Sequence, residues 1–446
     1  MKKTLFASVA TVALTAGTAH ADAHLMFAPG EGDFNWDSYT AFADATDLAG
    51  EQVTVFGPWL GPDQAAIEAV LAYFAEAANA DVRYVGSDSF EQQIVIDAEA
   101  GSAPNIAVFP QPGLAADMAK RGFLAPIADG AAAWMATNYA AGQSWVDLGT
   151  YADKDGNKQF FAFPFKADVK SLVWYVPENF ADAGYQIPTT MEDLKALTDQ
   201  IVADGGTPWC IGLGSGGATG WPATDWVEDL MLRTQSPETY DKWVTNELPF
   251  NSPEVVGAIE EFGWFIADGR VAGGTGAVAS TDFRDSPKGL FDSPPQCYMH
   301  HQASFIPAFF PDGTLVGPDG DANFFYFPAY ADKDLGKPVL GAGTLFAITK
   351  DSPAAQALIS FLETPIAHEV WMAQPDQGFL TPLTTANPAT YSNDTKRALG
   401  EILTNATTFR FDGSDLMPGA IGAGSFWTGM VDYAGGKSAQ DVADAI

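Results

Sequence analysis

Between residues 53 and 121, short apolar runs alternate with amphipathic stretches, and that rhythm leaves few architectures open. Val53-Thr-Val-Phe56, Asp81-Val-Arg-Tyr-Val85 and Asn105-Ile-Ala-Val-Phe109 have the length and side chains of buried strands. Between the first two, Ile67, Val70, Leu71 and Phe74 share one face at helical spacing. Asp88 stands three residues before Glu91, a helix-start signature, and Gly101 offers that helix a left-handed stop. A third helix runs from Leu114 to Arg121, with Gly122 as its stop. Strand followed by helix, three times over, predicts a mostly parallel sheet with right-handed crossovers.

At about residue 160 the pattern changes. Residues 151 to 157 carry turn chemistry, and 160–165 and 169–175 read as extended runs. A second alternating series follows: a helix from Met191 to Ala203 with Thr189 and Glu192 as capping box, a strand at 209–213, and a helix beginning near Thr224. Further helices are expected at Pro253 to Ala267 and Pro353 to Leu362. Two α/β lobes result, with no internal repeat of 20 to 50 residues.

Residues 1–21 read as an export signal: Lys2 and Lys3, an apolar stretch from Leu5 to Leu14, and a small-x-small cleavage site at Ala19-His20-Ala21. The apolar stretch is too short to cross a bilayer, and no cysteine lies near the cleavage site to take a lipid. The expectation is a periplasmic protein, exported through a cleaved signal and not lipid-anchored. Its formal net charge of −34 would repel a polyanion, which argues against nucleic acid as a partner. Two cysteines exclude a four-Cys zinc site. In an oxidising compartment Cys210 and Cys297 most simply form one disulfide, the alternative being two buried thiols.

Catalytic and cofactor signatures are sparse. The chain has neither a phosphate loop with its lysine nor a Gly-x-Ser-x-Gly elbow, and Gly214 to Gly220 reads as a flexible or closely packed loop. His300 and His301 are adjacent, so on a strand they face opposite ways and make a poor metal chelate. Asp153, Asp155 and Asn157 imitate half a calcium loop, but the twelfth position is Pro164, and a β-turn reads better. No metal, cofactor or catalytic residue is assigned, although fifty-six carboxylates leave room for a glycosidase pair.

The positive signal is aromatic residues in Gly- and Pro-punctuated loops: Trp59, Trp221, Trp427 and the neighbourhood of Phe305. Such rings stack on the C–H face of a sugar while carboxylates and amides bind its hydroxyls, and each is equally open to a packing role. Trp226, beside Leu230 on one helix face, reads as core. Asp88, Gln111, Asp168 and Asp225 occupy similar loop or strand-end positions. Asp88 and Asp225 are equally open to a helix-capping role, and Lys166 and Lys170 to surface pairing with Asp168.

These residues carry a resemblance. Gly57-Pro-Trp59, the run from Phe163 to Tyr175, Thr207-Pro-Trp-Cys210, Gly220-Trp-Pro-Ala-Thr-Asp-Trp226, Cys297 to Phe305, Gly341 to Ile348 and Gly378-Phe-Leu-Thr-Pro382 look like the solute-binding proteins of bacterial ABC sugar importers. They resemble the alpha-glucoside-binding subgroup in particular. The resemblance implies an α/β, two-lobed periplasmic-binding-protein fold of type II, each lobe a mixed β-sheet flanked by helices, with the ligand cleft between the lobes. It implies crossings near residues 165, 328 and 365. The N-terminal lobe would take 22–165 plus 329–364, and the C-terminal lobe 166–328 plus 365–446. The site residues it implies are Trp59, Asp88, Gln111, Asp168, Trp221, Asp225, His301, Phe305, Gly378 and Trp427. The expected activity is capture of a glucoside such as trehalose, sucrose or maltose by a monomer that docks on a separate inner-membrane permease. A polyamine-like cation as ligand and a secreted glycoside hydrolase are the rival readings.

Overall fold

The computed structural model describes residues 25–140, 142–375, 378–405 and 408–446, so the expected signal and its cleavage site lie outside the described residues. Among the described residues eleven strands occur in chain order: β1 Gln52–Gly57, β2 Asp81–Gly86, β3 Ile106–Phe109, β4 Thr150–Ala152, β5 Lys158–Phe160, β6 Ala162–Val169, β7 Leu172–Tyr175, β8 Met299–His301, β9 Asn323–Tyr326, β10 Pro338–Ile348 and β11 Thr408–Phe411.

The large sheet has the order β11-β10-β3-β1-β2, with β6 also pairing β10. The first three strands are parallel to one another, as the alternating pattern predicts. β10 then runs antiparallel to both β3 and β6, and parallel to β11. The sheet is therefore mixed rather than mostly parallel, because its long central strand enters from late in the sequence and in the opposite direction. All eleven residues of β10 are buried, which suits a strand covered on both faces.

A second, antiparallel sheet has the order β8-β7-β9, and a short β4-β5 hairpin stands apart. At the hairpin tip Asp153 Oδ1 accepts the N–H groups of Asp155 and Asn157 at 2.8 Å each, so the calcium-like spacing is an Asp-capped turn.

The local sequence explains where elements begin and end, with three corrections. The helix Phe90–Ala100 starts after Ser89, so Asp88 lies outside it and is not its cap; Gly101 ends it at φ 72°. The helix Met191–Ala203 is capped by Thr190, whose hydroxyl accepts the Asp193 N–H, one residue later than expected. Residues 209–213 form no strand: Trp209 makes single bridges to Val271 and Met299. Gly212 lies so near the Thr281 carbonyl that a Cβ there would stand 2.6 Å from its oxygen, and the bridge from Trp209 to Met299 of β8 is not extended into a ladder.

Two main apolar cores result. One packs Val70, Phe74, Ile106, Phe346, Leu358 and Trp371 against the large sheet; the other gathers Trp209, Trp226, Leu230, Ile259, Phe265 and Phe327. Trp226 is buried, as its helix face predicts. Cys210 and Cys297 are bonded to each other, with Cα atoms 5.5 Å apart and a sequence separation of 87. A crosslink over a loop of that length stabilises by roughly 4.5 kcal/mol in the chain-entropy account. The Cys210→Ala/Cys297→Ala double variant should therefore unfold at markedly lower urea, and an unchanged midpoint would refute this role.

Candidate functional site

Each of the first three parallel strands is followed by a side chain that lines one cavity: Trp59 after β1, Asp88 after β2 and Gln111 after β3. This is the carboxyl edge, where an open α/β sheet leaves a crevice. Lys166 and Asp168 on β6 and Thr344 on β10 add to its wall. The facing side comes from Trp221 and Asp225 of the helix Trp221–Thr234, from Phe305, and from the segment Asp412 to Trp427. The cavity has an empty volume of about 950 Å3, solvent at its mouth included.

Of the ten residues expected at a site, only His301 and Gly378 do not line this cavity. His301 is buried in the second core, where its Nε2 lies 2.9 Å from Asp229 Oδ2 and its ring 4.4 Å from that of Trp226. Its chain neighbour His300 turns the other way, with Nδ1 2.8 Å from the Cys210 carbonyl oxygen. Gly378 sits against the backbone beside Phe305: a Cβ there would be 2.0 Å from the Ser304 carbonyl oxygen. It shapes the loop that presents Phe305 and has no surface in the cavity.

The aromatic residues are not equivalent. Trp59 is 7% exposed, with its ring packed edge-on to Trp371 at 5.1 Å and stacked near Tyr84 at 6.3 Å. Trp221 is only half-buried, held edge-to-face by Phe283 at 4.9 Å, with Lys170 Nζ 5.6 Å from its ring centre. Phe305 is half-buried with Lys166 Nζ at 5.4 Å.

The lysines expected to pair on the surface are buried instead. Lys166 Nζ donates to both Asp168 oxygens at 2.6 Å. Lys170 donates to Asp225 at 2.8 Å and to Asp412. Asp225 lies inside its helix, so it is no cap either. Asp225, Glu228 and Asp412 bring oxygens within 4.8 Å of one another, as a cation site would. The cation they surround is the Lys170 ammonium, and the Glu228 oxygens accept the N–H groups of Gly413 and Ser414. Burial raises Asp225 well above the usual carboxylate range despite Lys170. Burial acts to raise Asp412 too, but Lys170 and the Asp415 N–H outweigh it and hold Asp412 low.

Asp412 and Asp415 were not singled out from the sequence. The Asp-x-x-Asp spacing, in which Asp412 caps the short helix Gly413–Leu416, was the available sign. The strand spacing of Lys166 and Asp168, which puts both on one face, was another.

Polar groups left open define the ligand this cavity suits. Four buried atoms on its lining have no hydrogen-bond partner among the described residues: Gln111 Oε1, Asp225 Oδ2, Thr344 Oγ1 and Trp427 Nε1. Unpaired buried groups of this kind each cost about 1–3 kcal/mol unless a partner arrives. A polyhydroxylated molecule supplies both donors and acceptors.

The two sides also touch directly. Gln92 Nε2 donates to the Gly217 carbonyl at 3.2 Å, and the Gly419 N–H to Asp117 Oδ2 at 2.9 Å. A Cβ on Gly216 would lie 2.3 Å from the Asp88 carboxylate, so the glycine-rich loop is closely packed.

Glu91 lines the cavity, and burial raises its carboxyl to about 7 from an ordinary 4.5, against a hydrogen bond from Gln111. Between those values the folded chain holds a proton that the unfolded chain has lost. Its contribution to stability therefore falls as pH rises from 4.5 to 7 and is flat above. Glu91→Gln should gain about 3 kcal/mol more over the parent at pH 8 than at pH 4.5 in unliganded unfolding experiments. An equal effect at both values would contradict this.

Comparison with known proteins agrees with this geometry. Residues 57–369 match the bacterial extracellular solute-binding protein family. The chain is 63% identical over 454 residues to the alpha-glucosides-binding periplasmic protein AglE of Rhizobium meliloti, covering 100% of this chain and 98% of the relative. It is 42% identical to the osmoprotective compounds-binding protein GgtB of Synechocystis, over 89% of this chain and 91% of that one. Among solved structures, the solute receptor AcbH superposes with a TM-score of 0.74 at 18% identity, over 89% of this chain and 97% of its own. The fold is the two-lobed type II periplasmic-binding-protein fold. No helix among the described residues is long and apolar enough to cross a membrane. A mixed sheet whose strand ends open on a polar, aromatic-walled cavity, matched over most of the chain, makes this protein a member of the bacterial extracellular solute-binding family.

Proposed function

We propose that the protein captures an α-glucoside, a di- or oligosaccharide such as trehalose, sucrose or maltose, in the periplasm and delivers it to a separate ABC permease in the inner membrane. The observation that carries this is the cavity itself: four unsatisfied polar atoms beside half-buried aromatic rings, in a chain 63% identical to an alpha-glucosides-binding protein. It binds without turnover, as a monomer. The ligand contacts are the eight cavity-lining residues of the expected set, with Trp221 and Phe305 as the stacking rings and Gln111, Asp225 and Trp427 as hydrogen-bonding partners.

Capture works by hinge closure. An open form admits the sugar, closure removes it from water, and both lobes then bind it at once. Each hydroxyl bond contributes only about 0.5–1.5 kcal/mol net, so affinity is a sum over several bonds plus stacking. The expected division is 22–165 with 329–364 for one lobe and 166–328 with 365–446 for the other. The packing of the helix Pro365–Met372 on the first core, with Trp371 against Trp59, supports assigning that helix to the first lobe.

A thermal-shift panel of trehalose, sucrose, maltose and spermidine tests the ligand class. A sugar at 100 times its dissociation constant should stabilise by about 2.7 kcal/mol. A shift with spermidine and none with any sugar would overturn the reading, and so would release of more than one equivalent of phenol from a chromogenic α-glucoside. Trp221→Ala should weaken sugar binding about tenfold or more with little loss of stability. Trp59→Ala, by emptying a packed site, should lose about 3–5 kcal/mol of stability as well. Calorimetry giving parental affinity in both variants would remove the rings from the site.

A further inference from the structure

The cavity is far richer in carboxylates than a neutral sugar requires. Among the described residues seven carboxylates line it against three cationic side chains, and all three cations are engaged. Lys166 is held by Asp168, and Lys170 by Asp225 and Asp412. Arg284 pairs with Asp282 at 3.3 Å, a residue outside the lining. Asp63, Asp88, Glu91 and Asp415 remain without an ion-pair partner among the described residues.

Two of the four orphaned side chains point the same way, while Trp427 Nε1, a donor, and the Thr344 hydroxyl suit the sugar's own oxygens. Gln111 and Asp225 are 5% and 3% exposed and each keeps an unpartnered oxygen: that of Gln111 can only accept, and that of Asp225 accepts once its carboxyl is ionised. Two buried acceptors beside unpaired carboxylates call for a ligand with charged donors, since an ammonium offers three N–H bonds to each hydroxyl's one.

We propose that this cleft prefers cationic glycosides, amino sugars above all, to their neutral parents, and rejects phosphorylated or carboxylated ones. The inference rests on the sugar-binding reading above and names the charge class of the sugar. An ammonium placed among Glu91, Asp415 and Asp225 gains partners that can ionise beside it, which a hydroxyl does not need, whereas a phosphate opposes their ionisation. Burial raises Asp415, which faces Asp412, Lys170, Asp225 and Glu91, well above the ordinary range. A cation entering there favours ionised carboxylates, so its binding releases protons while neutral sugar binding does not.

Calorimetry on the intact protein at pH 7 tests this. The probes are whichever of trehalose, sucrose and maltose binds most tightly, with its 2-amino-2-deoxy, 6-amino-6-deoxy and 6-phosphate derivatives. At least one amine should bind about tenfold tighter than the parent sugar, with an enthalpy that changes with the ionisation enthalpy of the buffer, and the phosphate at least tenfold weaker. Asp415→Asn and, separately, Glu91→Gln should shrink the ratio of amine to neutral affinity about fivefold. Amines no tighter than a well-bound parent, or a ratio unmoved in both variants, would overturn the inference and leave the sugar-binding reading intact. If no sugar binds, that reading fails and the inference with it.

Discussion

The Lys170 ammonium, buried between Asp225 and Asp412, fixes the geometry of the whole cleft. Lys170 follows β6 of the large sheet, Asp225 belongs to the helix Trp221–Thr234, and Asp412 follows β11. Three segments far apart in sequence meet at one charge. A buried ion pair is weak evidence for stability as such, since desolvation consumes much of the attraction. What it secures is position: if any of the three segments shifted, a charge would be left unmatched in a dry setting. Glu228, one helical turn on from Asp225, adds to this by holding the N–H groups of Gly413 and Ser414.

Behind that arrangement lies a second polar cluster with no cavity surface. Asp229 takes a hydrogen bond from Ser171 at 2.7 Å, pairs with Arg233, and stands 2.9 Å from His301. Arg233 also donates to the Phe327 carbonyl at 2.7 Å. Neighbouring positions of one helix thus serve different ends. Asp225 faces the cavity, Trp226 the apolar core, Glu228 a loop and Asp229 a buried network, all within little more than one turn of the helix.

The sequence made the strand-helix rhythm legible because burial on both faces leaves an unmistakable apolar run, as in β1 and β3. Trp59 was legible as a strand-end residue because Gly and Pro around it exclude a regular element, whereas the loop reading failed for Trp221 and Trp427, each the first residue of a helix, since Gly220 and Pro222 start that of Trp221. What escaped were partners set by tertiary pairing. Nothing local to Lys170 shows that Asp412 lies beside it, 242 residues away. His301 misled because it sits in the Cys297 to Phe305 run that carried the resemblance, whereas its own side chain serves the interior. The antiparallel direction of β10 was equally invisible, since an apolar run has no arrow.

β10 fills the middle of the large sheet, between β3 and β11 and beside β6, yet it is encoded more than two hundred residues after β3. At about 5–20 residues per second, a ribosome needs roughly ten to fifty seconds to bridge that gap. Throughout it the edge of β3 has no partner on that side and the first half of the chain has no complete sheet. Pairing over such separations is slow to form. The topology therefore keeps the nascent chain open until most of it has been made, which is the condition under which a polypeptide can still be threaded through a narrow pore.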